Sequence, residues 1–190
     1  NVGAWLNVSF TDSEDELTLT ASEFSLANGI LGMDYKLAHN SVAGIAFSYE
    51  YMDGDTYYNA GDIETGGITV APYFGMLFNE NLGCDISAGY SWVNIDQTRN
   101  QKSQIIPDEG RIDSSLDSNR YFISSNINGY AEIKTCDLQF SVGYLYVKNE
   151  QDSFVESNGN PVESNDTHLG QVTGSIEVGK RFENMLYPYV

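Results

Sequence analysis

His39 and His168 are the only imidazoles in the chain, and Glu163 and Asp166 stand within a few residues of the second. A histidine beside a carboxylate is a minimal acid–base pair, because the carboxylate selects the tautomer and steadies the imidazolium. A solvated histidine in an acidic stretch is far commoner. The chain also has no G-x-S-x-G, H-E-x-x-H or P-loop spacing that would bring a nucleophile, a zinc ligand pair or a phosphate cradle alongside. The expectation is that the protein is not an enzyme, with no catalytic residue, no metal ligand set and no cofactor. Cys84 and Cys136 are too few for a disulfide framework. They read as two independent small residues, with a bridge between them as the alternative.

Composition narrows the partners. Asp plus Glu number 27 against nine Lys plus Arg, a formal charge of −18, so nucleic acid is excluded as a partner: phosphate binding needs clustered cations. Such acidity often means disorder, but 41% hydrophobic residues and thirteen tyrosines argue for a folded chain. No run of about 18 apolar residues is present, so no transmembrane helix is expected. A membrane strand needs only about 10 residues of alternating character, and that signal has to be sought separately. Asn1-Val2-Gly3 is neither basic nor followed by an apolar core, so no signal peptide is read here, and the expectation is a mature chain or a segment of one.

The elements that must carry these residues have a period of two. Val2, Ala4, Leu6, Val8 and Phe10 alternate with Gly3, Trp5, Asn7 and Ser9, and Trp5 is the one bulky exception. The apolar set recurs as Leu31, Met33, Tyr35 and Leu37, then Ala43, Ile45, Phe47, Tyr49 and Tyr51. It returns as Ile68, Val70, Phe74, Met76 and Phe78, then as Ile86, Ala88, Tyr90 and Trp92. Further on come Tyr121, Ile123, Ile127, Ala131 and Ile133, and then Leu138, Phe140, Val142, Tyr144 and Tyr146. Val172, Ile176, Val178 and Phe182 complete an eighth strand, and Leu186 to Val190 starts a ninth. The opposite face carries Asn28, Asp34, Lys36, Glu50, Asp85, Arg120, Asn126, Asn128, Glu132, Gln139, Gln171, Glu177 and Arg181.

A soluble sandwich would pack the apolar faces together and wet the polar ones. Two features favour a barrel turned the other way. The strands run well beyond the ~5–6 residues usual in globular sheets. Tyr49, Tyr51, Tyr90, Trp92, Tyr121, Tyr144 and Tyr146 also collect toward strand ends on the apolar face, where a membrane-interface girdle belongs. The expected fold is therefore all-β: an antiparallel up-and-down transmembrane barrel with lipid outside and the polar set facing the lumen. Lys148 and Lys180 share the apolar parity but stand at strand ends, where a long side chain can snorkel. Pro72 within a strand predicts a bulge or local break.

Connections alternate too. Thr11–Phe24, Asp53–Glu64, Gln97–Asn119 and Asn149–Asp166 read as long loops; Ala38–Ser41, Asn79–Gly83, Lys134–Asp137 and Glu183–Met185 read as tight turns. Short turns on one rim and long loops on the other match outer-membrane barrels, with the long loops at the cell surface. Acids gather in those loops, among them Asp12, Glu14, Asp53, Asp55 and Asp62. They read as a repelling, solvated surface, with a bridge through divalent cations to lipopolysaccharide phosphates as the sharper alternative.

At this point the chain resembles the translocator β-domain of autotransporters, the type V secretion proteins of Gram-negative bacteria. Ile30-Leu31-Gly32-Met33-Asp34-Tyr35-Lys36-Leu37, Asn40 and Ala43-Gly44-Ile45-Ala46-Phe47-Ser48-Tyr49 resemble that family's second hairpin. Tyr90-Ser91-Trp92 with Asp96 and Arg99, the stretch from Tyr121 to Tyr130, His168-Leu169-Gly170 through Gly179-Lys180-Arg181, and Leu186-Tyr187-Pro188-Tyr189 follow in the family's order. The resemblance implies a twelve-stranded barrel, of which residues 1–190 supply about nine strands as one domain lacking its C-terminal strands. It implies an outer-membrane anchor and translocator for surface delivery of an N-terminal passenger. The partners it implies are outer-membrane lipid and lipopolysaccharide, the chain's own passenger, and the barrel-assembly machinery. The lumen-facing polar residues would contact water or the passenger. The alternative is a stand-alone porin or surface adhesin without a passenger.

Overall fold

Strict alternation favours extended backbone, since successive side chains then point to opposite faces. The computed structural model describes residues 1–16, 21–57, 60–100, 110–133 and 136–180. Its strands are β1 (Val2–Asp15), β2 (Ser22–Ala38), β3 (Ser41–Thr56), β4 (Gly61–Asn79), β5 (Leu82–Asn100), β6 (Arg111–Ile133), β7 (Cys136–Gln151), β8 (Phe154–Val155), β9 (Pro161–Val162) and β10 (Asn165–Lys180). Seven consecutive long strands and β10 form one eight-stranded antiparallel sheet in chain order, and β8–β9 is a small separate hairpin. No helix occurs among the described residues. Within them the sheet is an open arc with β1 and β10 at its margins. The ninth strand expected from Leu186, Phe182 and Arg181 lie outside the described residues.

Two of the tight turns are fastened by asparagine. Asn40 Nδ2 donates to the Leu77 carbonyl at 2.8 Å, and Asn81 Nδ2 to the Tyr130 carbonyl at 2.8 Å. Each turn is thereby fastened to the next strand over, satisfying a carbonyl that the ladder leaves free.

Register aligns the alternating sets across the whole sheet. One row runs Leu6–Leu31–Phe47–Val70–Tyr90–Tyr121–Lys148–His168, entirely on one face. That face is convex. Two contacts on the other face prove it. Arg120 on β6 reaches Glu50 on β3 at 2.8 Å, with β4 and β5 between them. Trp5 Nε1 on β1 donates to Tyr73 Oη on β4 at 2.8 Å, with β2 and β3 between. Three strand spacings amount to about 14 Å along a sheet, so side chains meet across them only on the inside of a curl. Polar in, apolar out is the observed sense.

Burial agrees. Phe47, Ile68, Ile127 and Val142, all on interior strands, remain about half exposed, and the buried apolar side chains among the described residues are Val93, Ile112 and Leu116. Soluble monomers seldom expose a continuous apolar surface beyond a few hundred Å². The exposed face is therefore of the kind that a membrane or a partner covers.

The strands are longer than the sequence suggests, and the long loops correspondingly shorter. Thr11–Asp15, Asp53–Thr56, Gly61–Glu64, Gln97–Asn100 and Arg111–Asn119 belong to the ladders. In this extension the facial preference reverses. The convex rows become Asp12–Ser25–Asp53–Glu64–Asp96–Ser115 and Glu14–Glu23–Asp55–Asp62–Thr98–Asp113, while the concave row Thr11–Leu26–Met52–Thr65–Ile95–Leu116 turns largely apolar. That is the pattern of a sheet in water with a dry inner side. The period of two continues, but its sign changes where the chain leaves the aromatic level.

At Pro72 the β4–β5 pairing lapses between Val70–Tyr90 and Tyr73–Ser87 and resumes in the same register. The ring removes the donor that a bond would need. The result is a local break, without a bulge. Cys84 and Cys136 are both free thiols, on strands separated by β6.

Candidate functional site

The concave wall is the candidate site. Polar residues recur among the inward positions of β2, β3, β5, β6, β7 and β10, and the registers set many of them side by side. Asn28 pairs with Glu50, Asp85 with Asn126, Asn128 with Ser141, Glu132 with Asp137, and Gln139 with Glu177. Asp34, Lys36, Arg120 and Gln171 share the same face, opposite Gly44, Val42, Ser91 and Leu145. Every described member of the polar set expected from the sequence therefore lies on one wall.

Within it several of the charges are partnered. Glu50 and Arg120 form an ion pair at 2.8 Å, with side chains 20% and 34% exposed. Asn126 Nδ2 donates to Asp85 Oδ1 at 2.7 Å and Asn128 Nδ2 to Asp85 Oδ2 at 3.2 Å, so both oxygens of one carboxylate are engaged. Tyr130 Oη donates to Asp137 Oδ1 at 2.8 Å, and Thr69 and Ser91 share a hydrogen bond of 2.7 Å. Donors of this kind replace the water that a carboxylate loses in a partly dry concavity. Opening onto the short-turn end of this wall is a cavity of about 780 Å³, reached by Asp34, Lys36, Asp85, Asn128 and Gln139.

Two inward aromatics escape a reading based on polarity. Trp5, the exception in the first strand, packs over Gly32 directly across the ladder, and its ring lies 6.2 Å from that of Tyr73. Tyr73 in turn covers Gly44, and its hydroxyl donates to Asp34 Oδ2 at 3.3 Å. A Cβ at Gly32 would fall 2.2 Å from the indole, and one at Gly44 would fall 2.3 Å from the phenol ring. Glycine is required at both positions so that an aromatic can lie flat on the wall. The signal was present as a Trp against the alternation, paired with a glycine on the next strand.

At the extension end, Arg99 donates to both oxygens of Glu156 at 2.8 and 3.0 Å, and the carboxylate is only 7% exposed. This ties the β8–β9 segment to β5. Asp152 N and Ser157 N donate to the Asp117 and Asp113 carbonyls, continuing the sheet along the free margin of β6. Sequence spacing offers no hint of that bidentate pair. On the convex side of the extension, hydrogen bonding to the facing Asp62 raises the Asp55 pKa. Hydrogen bonds from Arg111 and Thr98 hold Asp113 below the usual carboxylate range.

The aromatics expected at the interface all point outward. They descend in row from Tyr51 and Tyr49 on β3, through Trp92 and Tyr90 on β5 and Tyr121 on β6, to Tyr146 and Tyr144 on β7. A band that steps down the rows while crossing strands is level only if the strands are tilted, as barrel closure demands. Tyr90 stacks edge-on with Trp92 and Tyr121, centroids 4.5 and 4.9 Å apart. Lys148 places its ammonium between Glu150 and Asp166, the latter at 3.1 Å, which is the expected turn toward the polar end. Asp166 is thus engaged by a cation, and His168 faces Lys148 across the ladder. His39 sits in the opposite tight turn. The histidine–carboxylate pair that the sequence allowed is not assembled around Asp166.

Comparison with curated proteins returned no match. Among solved structures, the translocator domain of the autotransporter NalP from Neisseria meningitidis superimposes with a TM-score of 0.77 at 12% identity, covering 99% of this chain and 64% of that one. The beta domain of the Bordetella autotransporter BrkA gives 0.71 at 17% identity, covering 99% of this chain and 75% of that one. The chain thus spans somewhat less than two thirds of the NalP domain, whose arc of strands it shares. The autotransporter beta-domain family model matches residues 2–190, and the chain belongs to that family.

Proposed function

We infer that this chain is the outer-membrane translocator part of an autotransporter, anchoring in the bilayer by its convex face and delivering a passenger through the lumen lined by its concave face. The carrying observation is the inversion of ordinary protein polarity: an apolar convex face around a curled wall of satisfied polar groups, in a chain of the autotransporter beta-domain family. Family membership does not favour the reading as a stand-alone porin.

Several finer assignments belong to this reading. Residues 1–190 act as one barrel domain that further strands complete. The His39–Asn40 and Glu80–Asn81 turns face the periplasm, and the β8–β9 hairpin faces the cell surface. The polar wall from Asp34 to Gln171 contacts water or passenger, with Arg181 expected to join it. Outer-membrane lipid, lipopolysaccharide and the barrel-assembly machinery are the remaining partners. The domain itself carries out no catalysis.

The test uses the full precursor in cells whose native thiols are removed by Cys84→Ser and Cys136→Ser. Val155→Cys on the hairpin and Asn81→Cys in the turn are each exposed to a membrane-impermeant maleimide. Labelling of Val155→Cys alone, together with a passenger accessible to antibody on intact cells, supports the reading. Labelling of Asn81→Cys alone, or surface passenger that persists after deletion of β3–β6, overturns it.

A further inference from the structure

The convex face is nearly flush, since rows of Leu, Ile, Phe and Tyr fill it. Glycines open it at several places, among them Gly29, Gly66 and Gly170, and Gly66 is the one bordered by both the aromatic and the polar side chains of one recess. Gly66 stands between Tyr51 on β3 and Asn94 on β5, and a Cβ built there would meet nothing nearer than Tyr49 Oη at 4.0 Å. The gap is the floor of a recess of about 610 Å³, within the ~300–1,000 Å³ typical of small-molecule sites.

Its walls are of two kinds. Below the gap, Tyr49 and Trp92 flank Ile68 in a single row, 56% and 54% exposed, so two half-exposed aromatic rings stand on either side of an aliphatic side chain, Trp92 also meeting Tyr90 edge-on. Above and beside it lie polar atoms already set in direction. Asn94 Nδ2 donates to Asp117 Oδ1 at 3.2 Å, which leaves the Asn94 carbonyl and the second Asp117 oxygen as acceptors. Tyr90 Oη donates to Asn119 Oδ1 at 2.6 Å, which leaves the Asn119 Nδ2 hydrogens as donors.

Aromatic surfaces beside amide and carboxylate groups suit a ligand with apolar C–H faces and a rim of hydroxyls. An acyl chain would strand the polar edge without partners. A phosphate would meet Asp117 and the neighbouring acidic row of Glu64 and Asp96, an unfavourable field for an anion. A pyranose ring satisfies both halves. The recess opens sideways at the height of the aromatic band, so its occupant approaches from the membrane plane.

We propose that this recess binds a neutral pyranose ring, and that the ring belongs to the headgroup of an outer-leaflet glycolipid. The proposal rests on the reading that the convex face meets lipid. It makes the barrel a receptor for a particular lipid as well as a passive occupant of the bilayer.

The full-length protein carrying Trp5→Phe, which leaves Trp92 as the one tryptophan of residues 1–190, is inserted into lipid discs. Any passenger tryptophans are subtracted by a matched Trp92→Phe control. Discs contain either phospholipid only or phospholipid with increasing lipopolysaccharide, and free core oligosaccharide is titrated separately. The expected result is a saturable change in Trp92 emission with lipopolysaccharide, weakened at least tenfold by Gly66→Leu, which fills the recess, and by Asn119→Ala, which removes the donor. Equal emission in the two kinds of disc overturns the proposal, as does undiminished binding by both variants. Binding of the free oligosaccharide as tightly as the glycolipid overturns the assignment of source. Quenching of Trp92 by shallow nitroxide-labelled lipid is measured in the same discs. Retained quenching without glycolipid preference defeats this proposal alone, whereas absent quenching defeats the underlying reading as well.

Discussion

Phe47 and Ser48 are adjacent in β3 and differ in face alone, which makes them a controlled pair. Phe47 points outward between Leu31 and Val70, two rows below Tyr51; Ser48 points inward between Ile30 and Thr69, next to the cavity that Glu50 and Arg120 line. An arginine on the lipid face costs about 2–4 kcal/mol near the bilayer midplane, falling to about 0–1 near the interface. Phe47→Arg is predicted to fall in the upper range, and Tyr51→Arg in the lower. Ser48→Arg gains a neighbouring carboxylate in Glu50 and water in the lumen, so a cost below about 1 kcal/mol is expected. At 1.36 kcal/mol per factor of ten, Phe47→Arg should weaken the folding equilibrium roughly 30- to 1,000-fold and Ser48→Arg less than about fivefold. Reversible denaturant titration of the full-length protein in lipid bilayers measures both. Equal costs, or a larger cost at Ser48, would refute the assignment of faces.

Three further outcomes follow from particular contacts. Gly32→Ala should destabilise by about 1–3 kcal/mol because its methyl collides with the Trp5 ring. Adding Trp5→Ala to that variant should recover part of the loss, and a cycle showing no coupling contradicts the packing. Arg120→Ala leaves Glu50 unpaired in a partly dry wall; because both groups retain solvent contact, about 1–3 kcal/mol is expected rather than the ~3–5 of a fully buried pair. Glu50→Gln in the Arg120→Ala background should restore most of it in the same titration. In the extension, the raised Asp55 pKa means that the native state takes up this proton more readily, so its contribution is present at low pH and lost as pH rises through the native pKa. The depressed Asp113 contributes with the opposite sign, present above 3.8 and lost as pH falls through its native value. Amide exchange at the β3–β4 tip, taken relative to the intrinsic rate at each pH, should therefore slow as the pH is lowered from neutral toward the native Asp55 pKa, and Asp55→Asn should remove that gain in protection. Exchange that quickens instead would contradict the sign.

Most of the membrane-spanning wall was legible because its physics is local. Alternation fixes faces, and Leu31, Phe47, Val70 and Tyr90 fall in one row once the short turns set register. The extension was misread for a physical reason. Val93, Ile95, Ile112 and Leu116 point inward while Asp53, Glu64 and Asp96 point outward, so a search for outward apolar residues ends where the strands in fact continue. Acid-rich sequence was mistaken for loop when it was the wet side of a strand. Trp5 was visible as an anomaly, but its meaning depends on Gly32 and Tyr73, which only the ladder and the curl bring beneath and beside it. Arg99 and Glu156 are joined by the return of a distant hairpin, and no pattern within either segment announces the pair.

Which side of the sheet meets lipid decides the function, and Trp5 and Trp92 report opposite sides. In the full-length protein within lipid discs, Trp5→Phe isolates Trp92 and Trp92→Phe isolates Trp5, with the double variant subtracting any passenger signal. Lipids carrying a nitroxide near the headgroup should quench Trp92 strongly and leave Trp5, held against Tyr73 on the concave wall, nearly unchanged. Strong quenching of Trp5 with Trp92 protected would mean that the polar wall faces lipid, and would contradict a barrel that is apolar outside and polar inside.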